Sequence, residues 1–268
     1  MKQVIGLVLL ALLCCNGLAK SRTSSDGSRG SPSGRIVNGT AVSIEDYPFI
    51  VRIHFQGFFI CGASIITSQH ALSAAHCFVY KSDPSPRAEE LTVVGGSTYL
   101  SSGVVFSVKE YRVHPDFNYE TANADAAIVT IVDTFVGYPN IAAIPLQTRD
   151  ITYSPENRTW CFIAGWGLTA GGTRKPSDNL QLVWMQVISQ YSCAKQWDGF
   201  SISSRMICTE LPRTDACRGD SGGPLVCNGQ LTGIVSGGDF YCAGRLPSVF
   251  AKVTSTSIRT FIRETAGI

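Results

Sequence analysis

The cysteines restrict the fold of this chain more than any other feature. The sequence has ten of them in 268 residues. Cys14 and Cys15 lie in an apolar leader, and the other eight are spread from Cys61 to Cys242. An even set of half-cystines in a chain of this size indicates an oxidising compartment and a fold held by several bridges. The sequence alone does not select the pairing.

Residues 1–19 have the pattern of a secretory signal peptide. Lys2 precedes an apolar run over residues 4–13, and the small residues Gly17 and Ala19 predict cleavage after Ala19. The run is too short to span a bilayer, and a signal anchor is the minor alternative. We therefore expect a secreted, extracellular protein that has no membrane partner.

Residues 20–35 are rich in Ser, Gly and Arg and have no apolar periodicity. A segment of this composition cannot bury enough surface to fold by itself. We expect a flexible pro-segment that ends at Arg35 and is accessible to proteases. The alternative is a linker that simply leads into a first strand at Ile36.

The composition of the whole chain favours a folded domain. Hydrophobic residues make up 44% and charged residues 16%, which excludes disorder as the main state. Five of the 22 basic and one of the 20 acidic side chains precede residue 36, so the remainder carries 17 basic and 19 acidic groups, a net charge of −2. We therefore expect neither nucleic acid nor an anionic membrane as a partner.

Most of the apolar patterning predicts strands. Residues 47–66, 91–108 and 183–188 are strand-like, with a turn at Gly57. Residues 192–197 predict a short helix around Cys193. A final helix is expected near the end, with Thr254 as its N-cap and an apolar face of Ile258, Phe261 and Ile262.

One glycine-rich stretch has the residues that nucleophilic catalysis requires. Residues 217–227 read CRGDSGGPLVC, so Ser221 lies between Asp220 and two glycines. Attack on a carbonyl needs a hydroxyl that a base can deprotonate, and backbone N–H groups for the developing oxyanion. Gly219 lacks a Cβ, which lets the chain turn its amide toward a substrate. The alternative is a glycine-rich turn that contains a serine by chance.

Two further residues are candidates to activate that serine. His76 lies in LSAAHC, between small residues and a half-cystine, and an imidazole titrates near neutrality. His54, His70 and His114 lack such a context and have no metal-ligand spacing, so they are interpreted as structural or surface residues. Asp125 precedes an apolar strand in NADAAIV, with Asp133 as the competing carboxylate at the far end.

These three motifs, in the order His, Asp, Ser, resemble those of the chymotrypsin/trypsin-like serine proteases. The resemblance covers residues 36 to about 262. It implies an all-β fold of two six-stranded antiparallel β-barrels packed together, with a short C-terminal α-helix, over residues 36–268. It also implies that Ser221 is the nucleophile, His76 the base and Asp125 its orienting partner, with the amides of Gly219 and Ser221 as the oxyanion hole.

The same resemblance implies activation and cross-linking. Cleavage between Arg35 and Ile36 would free an α-ammonium that pairs with Asp220. The activating enzyme is expected to be a trypsin-like protease or the protein itself. Four disulfides are expected: Cys61–Cys77, Cys161–Cys227, Cys193–Cys208 and Cys217–Cys242.

The resemblance also assigns a substrate pocket to Asp215, Ser236, Gly238 and Ser248. A carboxylate at Asp215 predicts a preference for Arg or Lys, and a solvated loop aspartate is the alternative. Two positions depart from the family pattern. Gly237 replaces a tryptophan that would wall the subsites beyond the pocket, and Ser248 replaces a common glycine. Ser248 is expected to shorten the pocket or to hydrogen-bond Asp215, which favours Arg above Lys at reduced efficiency.

The remaining expectations concern modification, ions and partners. Asn38 and Asn157 begin glycosylation sequons, and Asn157 is the better candidate because Asn38 is close to the activation site. No cofactor or metal is expected. In particular, residues 91–108 contain no Asp or Glu for the calcium site that many trypsins have in this region. Protein or peptide substrates and protein protease inhibitors are the expected partners of a monomer.

Two other classes of protein remain as alternatives. A protease-like scaffold that acts by binding partners would typically lack the serine or the histidine, and this chain retains Ser221, His76 and Asp125. A lipase or esterase would have a G-x-S-x-G elbow with its histidine last in the chain, whereas His76 comes first here.

Overall fold

The structure is a computed structural model, and it describes residues 38–80, 85–156, 158–168 and 175–268. The predicted signal peptide and pro-segment, the cleavage site at Arg35 and Ile36, and the sequon residue Asn157 lie outside these ranges. Asp220, the predicted partner of the new terminus, lies within them.

Thirteen strands and two α-helices make up the described chain. The strands are β1 (Thr40–Ala41), β2 (Ile50–Phe55), β3 (Phe58–Ile65), β4 (His70–Ser73), β5 (Leu91–Gly95), β6 (Val104–Val113), β7 (Ala127–Ile131), β8 (Trp160–Gly165), β9 (Gln181–Val187), β10 (Met206–Glu210), β11 (Pro224–Cys227), β12 (Gln230–Gly237) and β13 (Ser248–Lys252). The helices are α1 (Gln190–Gln196) and α2 (Thr256–Ala266).

The first barrel closes in the strand order β2-β3-β4-β7-β6-β5, and each pairing is antiparallel. Its β2–β3 hairpin turns at Gln56 and Gly57, whose φ angles are 50° and 83°. Both turn residues therefore adopt the left-handed conformation that suits the twist of a two-residue hairpin. Val51 and Ile53 alternate along β2 as fully buried side chains, as expected for one face of a barrel strand.

The second barrel contains β8 to β13. Its sheet runs β1-β9-β10-β13-β12-β11-β8, and a further pairing of β8 with β9 closes the six longer strands into a ring. Gly165 at the end of β8 pairs with Gln181 at the start of β9. The predicted fold of two six-stranded antiparallel barrels is therefore confirmed.

The C-terminal helix is confirmed, but its predicted cap is wrong. Helix α2 buries Ile258, Phe261 and Ile262, the three residues expected on its apolar face. Its N-cap is Ser255 rather than Thr254. The Thr254 hydroxyl is instead hydrogen-bonded to the carboxylate of Asp150. A residue that is distant in the sequence therefore binds the hydroxyl that was expected to cap the helix.

The four disulfides join the pairs that the resemblance implied, namely Cys61–Cys77, Cys161–Cys227, Cys193–Cys208 and Cys217–Cys242. Two of them lie beside the candidate catalytic segments, because Cys77 follows His76 and Cys217 precedes Ser221 by four positions. Among the described residues, no helix is long and apolar enough to cross a membrane.

Candidate active site

In the first barrel, the partly exposed His76 makes two hydrogen bonds to the buried carboxylate of Asp125. His76 lies in the short turn Ala75–Cys77 after β4, and Asp125 lies in the loop before β7. The Oδ2 atom of Asp125 lies 2.7 Å from the His76 Nδ1, and Oδ1 accepts the backbone N–H of His76 at 2.9 Å. Because the carboxylate can only accept, Nδ1 carries the proton and Nε2 is left as the basic nitrogen.

A third group contacts the same carboxylate. The Ser236 hydroxyl donates to Asp125 Oδ2 at 2.6 Å, and Asp125 itself is fully buried. Sequence reasoning assigned Ser236 to substrate binding and missed this contact. No local pattern could have revealed it, since the two residues are 111 positions apart.

The surroundings of His76 act on its pKa in opposite directions. Burial by itself lowers the pKa, whereas the charge of Asp125 and the hydrogen bond to it raise the pKa. The net result is a pKa above the ordinary histidine value. His76 still exposes 28% of its side chain, so a substrate can reach the ring. A histidine in this setting accepts a proton readily and holds it as a stabilised imidazolium.

Ser221 is joined to the first barrel by its own backbone. Its carbonyl accepts the N–H of Gly62 in β3 at 2.8 Å. The next residue, Gly222, has a φ of 78°, and a Cβ there would collide with the Ser73 hydroxyl and the Gly62 carbonyl. Ser73 is three positions before His76, so the serine and histidine segments adjoin. Glycine is therefore required at position 222 by both conformation and space.

The amides of Gly219 and Ser221 are the predicted oxyanion donors. Within the described part of the chain, neither the Gly219 N–H nor the Ser221 N–H donates to a protein acceptor. Gly219 has a φ of 97°, and a Cβ there would lie 3.1 Å from the Phe59 ring and from the Gly167 Cα. A side chain at position 219 would therefore strain the turn that presents these amides.

Asp220 is a buried carboxylate that is held by amides. It is 2% exposed, and it accepts the N–H of Gly167 at 2.9 Å and the N–H of Cys217 at 3.0 Å. Burial raises the pKa of Asp220 to about 7, although these two hydrogen bonds lower it. Among the described residues no cation pairs with it. A positively charged partner would strongly stabilise the ionised form of such a buried carboxylate.

Asp215 lies behind Gly238 and is already hydrogen-bonded. It is fully buried, and a Cβ on Gly238 would lie 2.7 Å from its Oδ1. The Ser248 hydroxyl donates to Oδ1 at 2.7 Å, and the backbone N–H of Asp239 donates to Oδ2 at 3.1 Å. Burial raises the pKa of Asp215 to about 6, while the bond from Ser248 lowers it. Of the two expectations for Ser248, the hydrogen bond to Asp215 is therefore found.

A cavity of about 160 Å³ is lined by Ser221, Gly237, Gly238 and the Cys217–Cys242 bridge among others, and the Asp215 carboxylate lies behind Gly238 on its wall. At its rim the guanidinium of Arg218 lies 4.7 Å from the centre of the Phe240 ring, which is 71% exposed. Gly237 has open space where a side chain would begin. The missing tryptophan therefore leaves this wall bare.

The other sequence candidates lie away from these groups. Asp133 is exposed on the far side of β7, so Asp125 is the carboxylate that reaches His76. His114 is hydrogen-bonded to the Ser257 hydroxyl at 3.0 Å. Asn38 is exposed, and its side-chain amide donates to the Arg213 carbonyl at 3.1 Å.

The two closed barrels and the His–Asp pair beside the G-D-S-G loop are those of a serine endopeptidase. The chain belongs to the trypsin family, whose model, Trypsin, matches residues 36–262. Trypsin alpha of Drosophila erecta is 34% identical over 265 residues, which is 98% of each chain. Trypsin delta of Drosophila melanogaster is 35% identical over 252 residues, 93% of this chain and 95% of that relative. Trypsin alpha-4 of Lucilia cuprina is 32% identical over 259 residues, 96% of this chain and 97% of that relative.

Proposed function

We propose that this protein is a secreted serine endopeptidase that cleaves after basic residues and is made as a zymogen. The observation that carries the proposal is the His76 ring, which hydrogen-bonds through Nδ1 to the buried carboxylate of Asp125 beside the segment of Ser221. The proposal assigns the base to His76, its orienting charge to Asp125 and the nucleophile to Ser221.

The proposed reaction proceeds through an acyl-enzyme. The Ser221 Oγ attacks the scissile carbonyl carbon while His76 Nε2 takes the hydroxyl proton. The carbonyl oxygen becomes an oxyanion that the amides of Gly219 and Ser221 stabilise. His76 then donates its proton to the leaving amine, the C–N bond breaks, and water repeats the sequence to release the acid. Asp125 keeps its charge throughout and stabilises the imidazolium.

The proposed specificity is for Arg above Lys at the cleaved position. It rests on the carboxylate of Asp215, which carries charge above its pKa of about 6 and lies next to Gly238 on the cavity wall. Arginine is favoured because its planar, forked guanidinium reaches further and can use two oxygens. The trypsin names of the relatives support the same preference. Ser248 and the Asp239 amide already bind those oxygens, which reduces the efficiency.

The proposed zymogen switch joins two parts of the chain. Cleavage after Arg35 would free the Ile36 α-ammonium, which would pair with Asp220. The burial of Asp220 and its raised pKa of about 7 support this role, because an adjacent cation would stabilise its charged form. Residues 1–19 are proposed to direct secretion, with residues 36–268 as the mature enzyme.

A fluorophosphonate probe tests the catalytic proposal directly. The protein treated with trypsin should be labelled at Ser221, and Ser221→Ala should abolish the labelling. Ser68→Ala, at an exposed serine of the first barrel, is the matched control and should label normally. If the treated protein carries a free Ile36 terminus by sequencing and still does not label, the protein is a binding scaffold and not an enzyme.

A panel of peptide esters tests the specificity separately. Arg, Lys, Tyr and Ala esters should be cleaved by the activated protein in the order Arg, then Lys, then the two neutral esters. Dominant cleavage of Tyr or Ala esters rejects the basic pocket while leaving the catalytic proposal intact.

A further inference from the structure

Arg52 is a buried arginine on the outer face of the first barrel. Its neighbours in β2, Val51 and Ile53, face the barrel interior, so Arg52 and His54 face outward on the same side of the strand. Arg52 is nevertheless fully buried. Ser102 and Gly103, in the loop between β5 and β6, and the ring of Trp166 lie against it.

The contacts of Arg52 do not neutralise its charge. Nη2 donates to the Ser102 carbonyl, and the guanidinium carbon lies 4.9 Å from the centre of the Trp166 ring. Nε and Nη1 are buried without a hydrogen-bond partner. Within the described ranges, no carboxylate forms an ion pair with Arg52. Burial lowers the pKa of Arg52 to about 10, so the group stays charged at neutral pH.

An uncompensated buried guanidinium is unusual because an unpaired charge away from water is strongly unfavourable. The cavity beside it is about 360 Å³ in volume and is also lined by His54, Thr92 and Ser101. The Nε2 atom of His54 is a further buried nitrogen without a partner. No Asp or Glu is among the residues that line the cavity. The cavity therefore borders a fixed positive charge and has no acidic group among its lining residues, and the unpartnered nitrogens of Arg52 and His54 are buried in its wall.

We propose that this cavity binds an oxyanion, either a carboxylate or a tetrahedral anion such as sulfate, through Arg52 and His54. Charge-assisted hydrogen bonds to the free guanidinium nitrogens would satisfy these buried groups and compensate the charge. Thr92 and Ser101 bring hydroxyl groups to the same wall. The site is formed by the outer face of the first barrel and is separate from the Ser221 cavity, so the proposal does not depend on the proposed substrate preference.

Thermal unfolding tests the proposal without an activity assay. The protein is inactivated with Ser221→Ala to prevent self-digestion, and its Tm is followed against sodium sulfate with sodium chloride at equal ionic strength as reference. We expect a saturable rise of roughly 5 °C or more once the anion is about 100 times above its Kd. N-acetylaspartate amide is the second arm, and it reports whether the site prefers a carboxylate from an acidic side chain.

Matched variants identify the site. Arg52→Met should remove the anion-dependent shift and, in chloride, should raise the Tm because an unpaired buried charge is replaced by an apolar chain. His54→Gln should weaken the shift and keep the fold. Arg112→Gln, at an arginine whose side chain is 59% exposed, is the control and should leave the shift unchanged.

Crystallography can locate the bound anion directly, which tests the proposal even if Arg52→Met does not fold. In crystals soaked with selenate, the anomalous peak should lie within hydrogen-bond distance of the Arg52 guanidinium. A peak only elsewhere, or an equal Tm shift in parent and His54→Gln protein, overturns the proposal.

Discussion

Ser248 donates a hydrogen bond of 2.7 Å to Asp215, so one oxygen of this buried carboxylate is already bound by the protein's own side chain. The other oxygen accepts the Asp239 amide at 3.1 Å. The substrate cation proposed to bind here would therefore share these oxygens with internal donors. Under the proposed specificity, the Ser248–Asp215 contact makes binding of a basic side chain weaker than it would be with a free carboxylate.

Replacing Ser248 with glycine should improve cleavage after Arg and Lys. The change removes the competing donor and the hydroxymethyl group, and a hydrogen bond of this kind is worth on the order of 1 kcal/mol, or roughly fivefold in kcat/KM. Steady-state kinetics on Arg and Lys esters measure the effect. Ser68→Gly, at an exposed serine, is the control, and an unchanged or lower kcat/KM in Ser248→Gly would contradict the role given to Ser248.

The preference for a charged substrate should weaken in acid. Burial raises the pKa of Asp215 to about 6, so lowering the pH through that value protonates the carboxylate and removes the attraction for a guanidinium. The ratio of kcat/KM for an Arg substrate to that for its neutral analogue citrulline should fall about tenfold per pH unit below the pKa.

The ratio of kcat/KM for the Arg substrate to that for the citrulline substrate reports on Asp215 alone, because cleavage of both substrates depends equally on His76. In Ser248→Gly the titration should move to higher pH, since the bond from Ser248 lowers the pKa of Asp215. A ratio that stays constant from about pH 5 to pH 8 would exclude Asp215 as the group that recognises the cation.

Ser236→Ala should impair the function of His76 as a base and should leave substrate binding largely unchanged. The Ser236 hydroxyl donates to Asp125 Oδ2 at 2.6 Å, and its loss leaves a buried carboxylate with one donor fewer. Asp125 then attracts a proton on His76 more strongly, which raises the pKa of the imidazolium. We expect kcat to fall by roughly tenfold, KM to change little, and the acid limb of kcat/KM to move to higher pH.

The conservative variant Ser236→Thr keeps the hydroxyl and should restore the parent pH profile. If Ser236→Ala raises KM and leaves the acid limb in place, Ser236 acts on the substrate and not through Asp125.

Asp220→Asn should separate activation from cleavage of the pro-segment. The amide cannot pair as a charge with a new α-ammonium, and loss of one partner of a buried pair costs about 3–5 kcal/mol. Titration with the fluorophosphonate probe should therefore find less than about 1% of active sites after complete cleavage at Arg35. Asp178→Asn, at an aspartate with a 64% exposed side chain, should activate normally. Full activity in Asp220→Asn would refute the switch.

Much of the fold could be predicted because it depends on local pattern. Apolar patterning predicted strands over residues 47–66 with a turn at Gly57, where β2 and β3 are found, and i, i+3, i+4 spacing predicted the buried face of α2. Thr254 was predicted wrongly as the cap because its Asp150 partner is 104 positions away. The disulfide pairing came from the family resemblance and not from the spacing of the cysteines.

The sequence by itself determined the residue types of a serine peptidase and their order along the chain, since motifs around Ser221, His76 and Asp125 are local. The tertiary structure decided which polar and charged side chains are partnered. The Ser236–Asp125 contact and the unpaired charge of Arg52 depend on side chains brought together by barrel closure. For Ser248, the structure selected the hydrogen bond to Asp215 from the two expectations that the sequence had left open. Hydrogen bonds and ion pairs act over a few ångströms, so their partners are set by packing in space rather than by distance along the sequence.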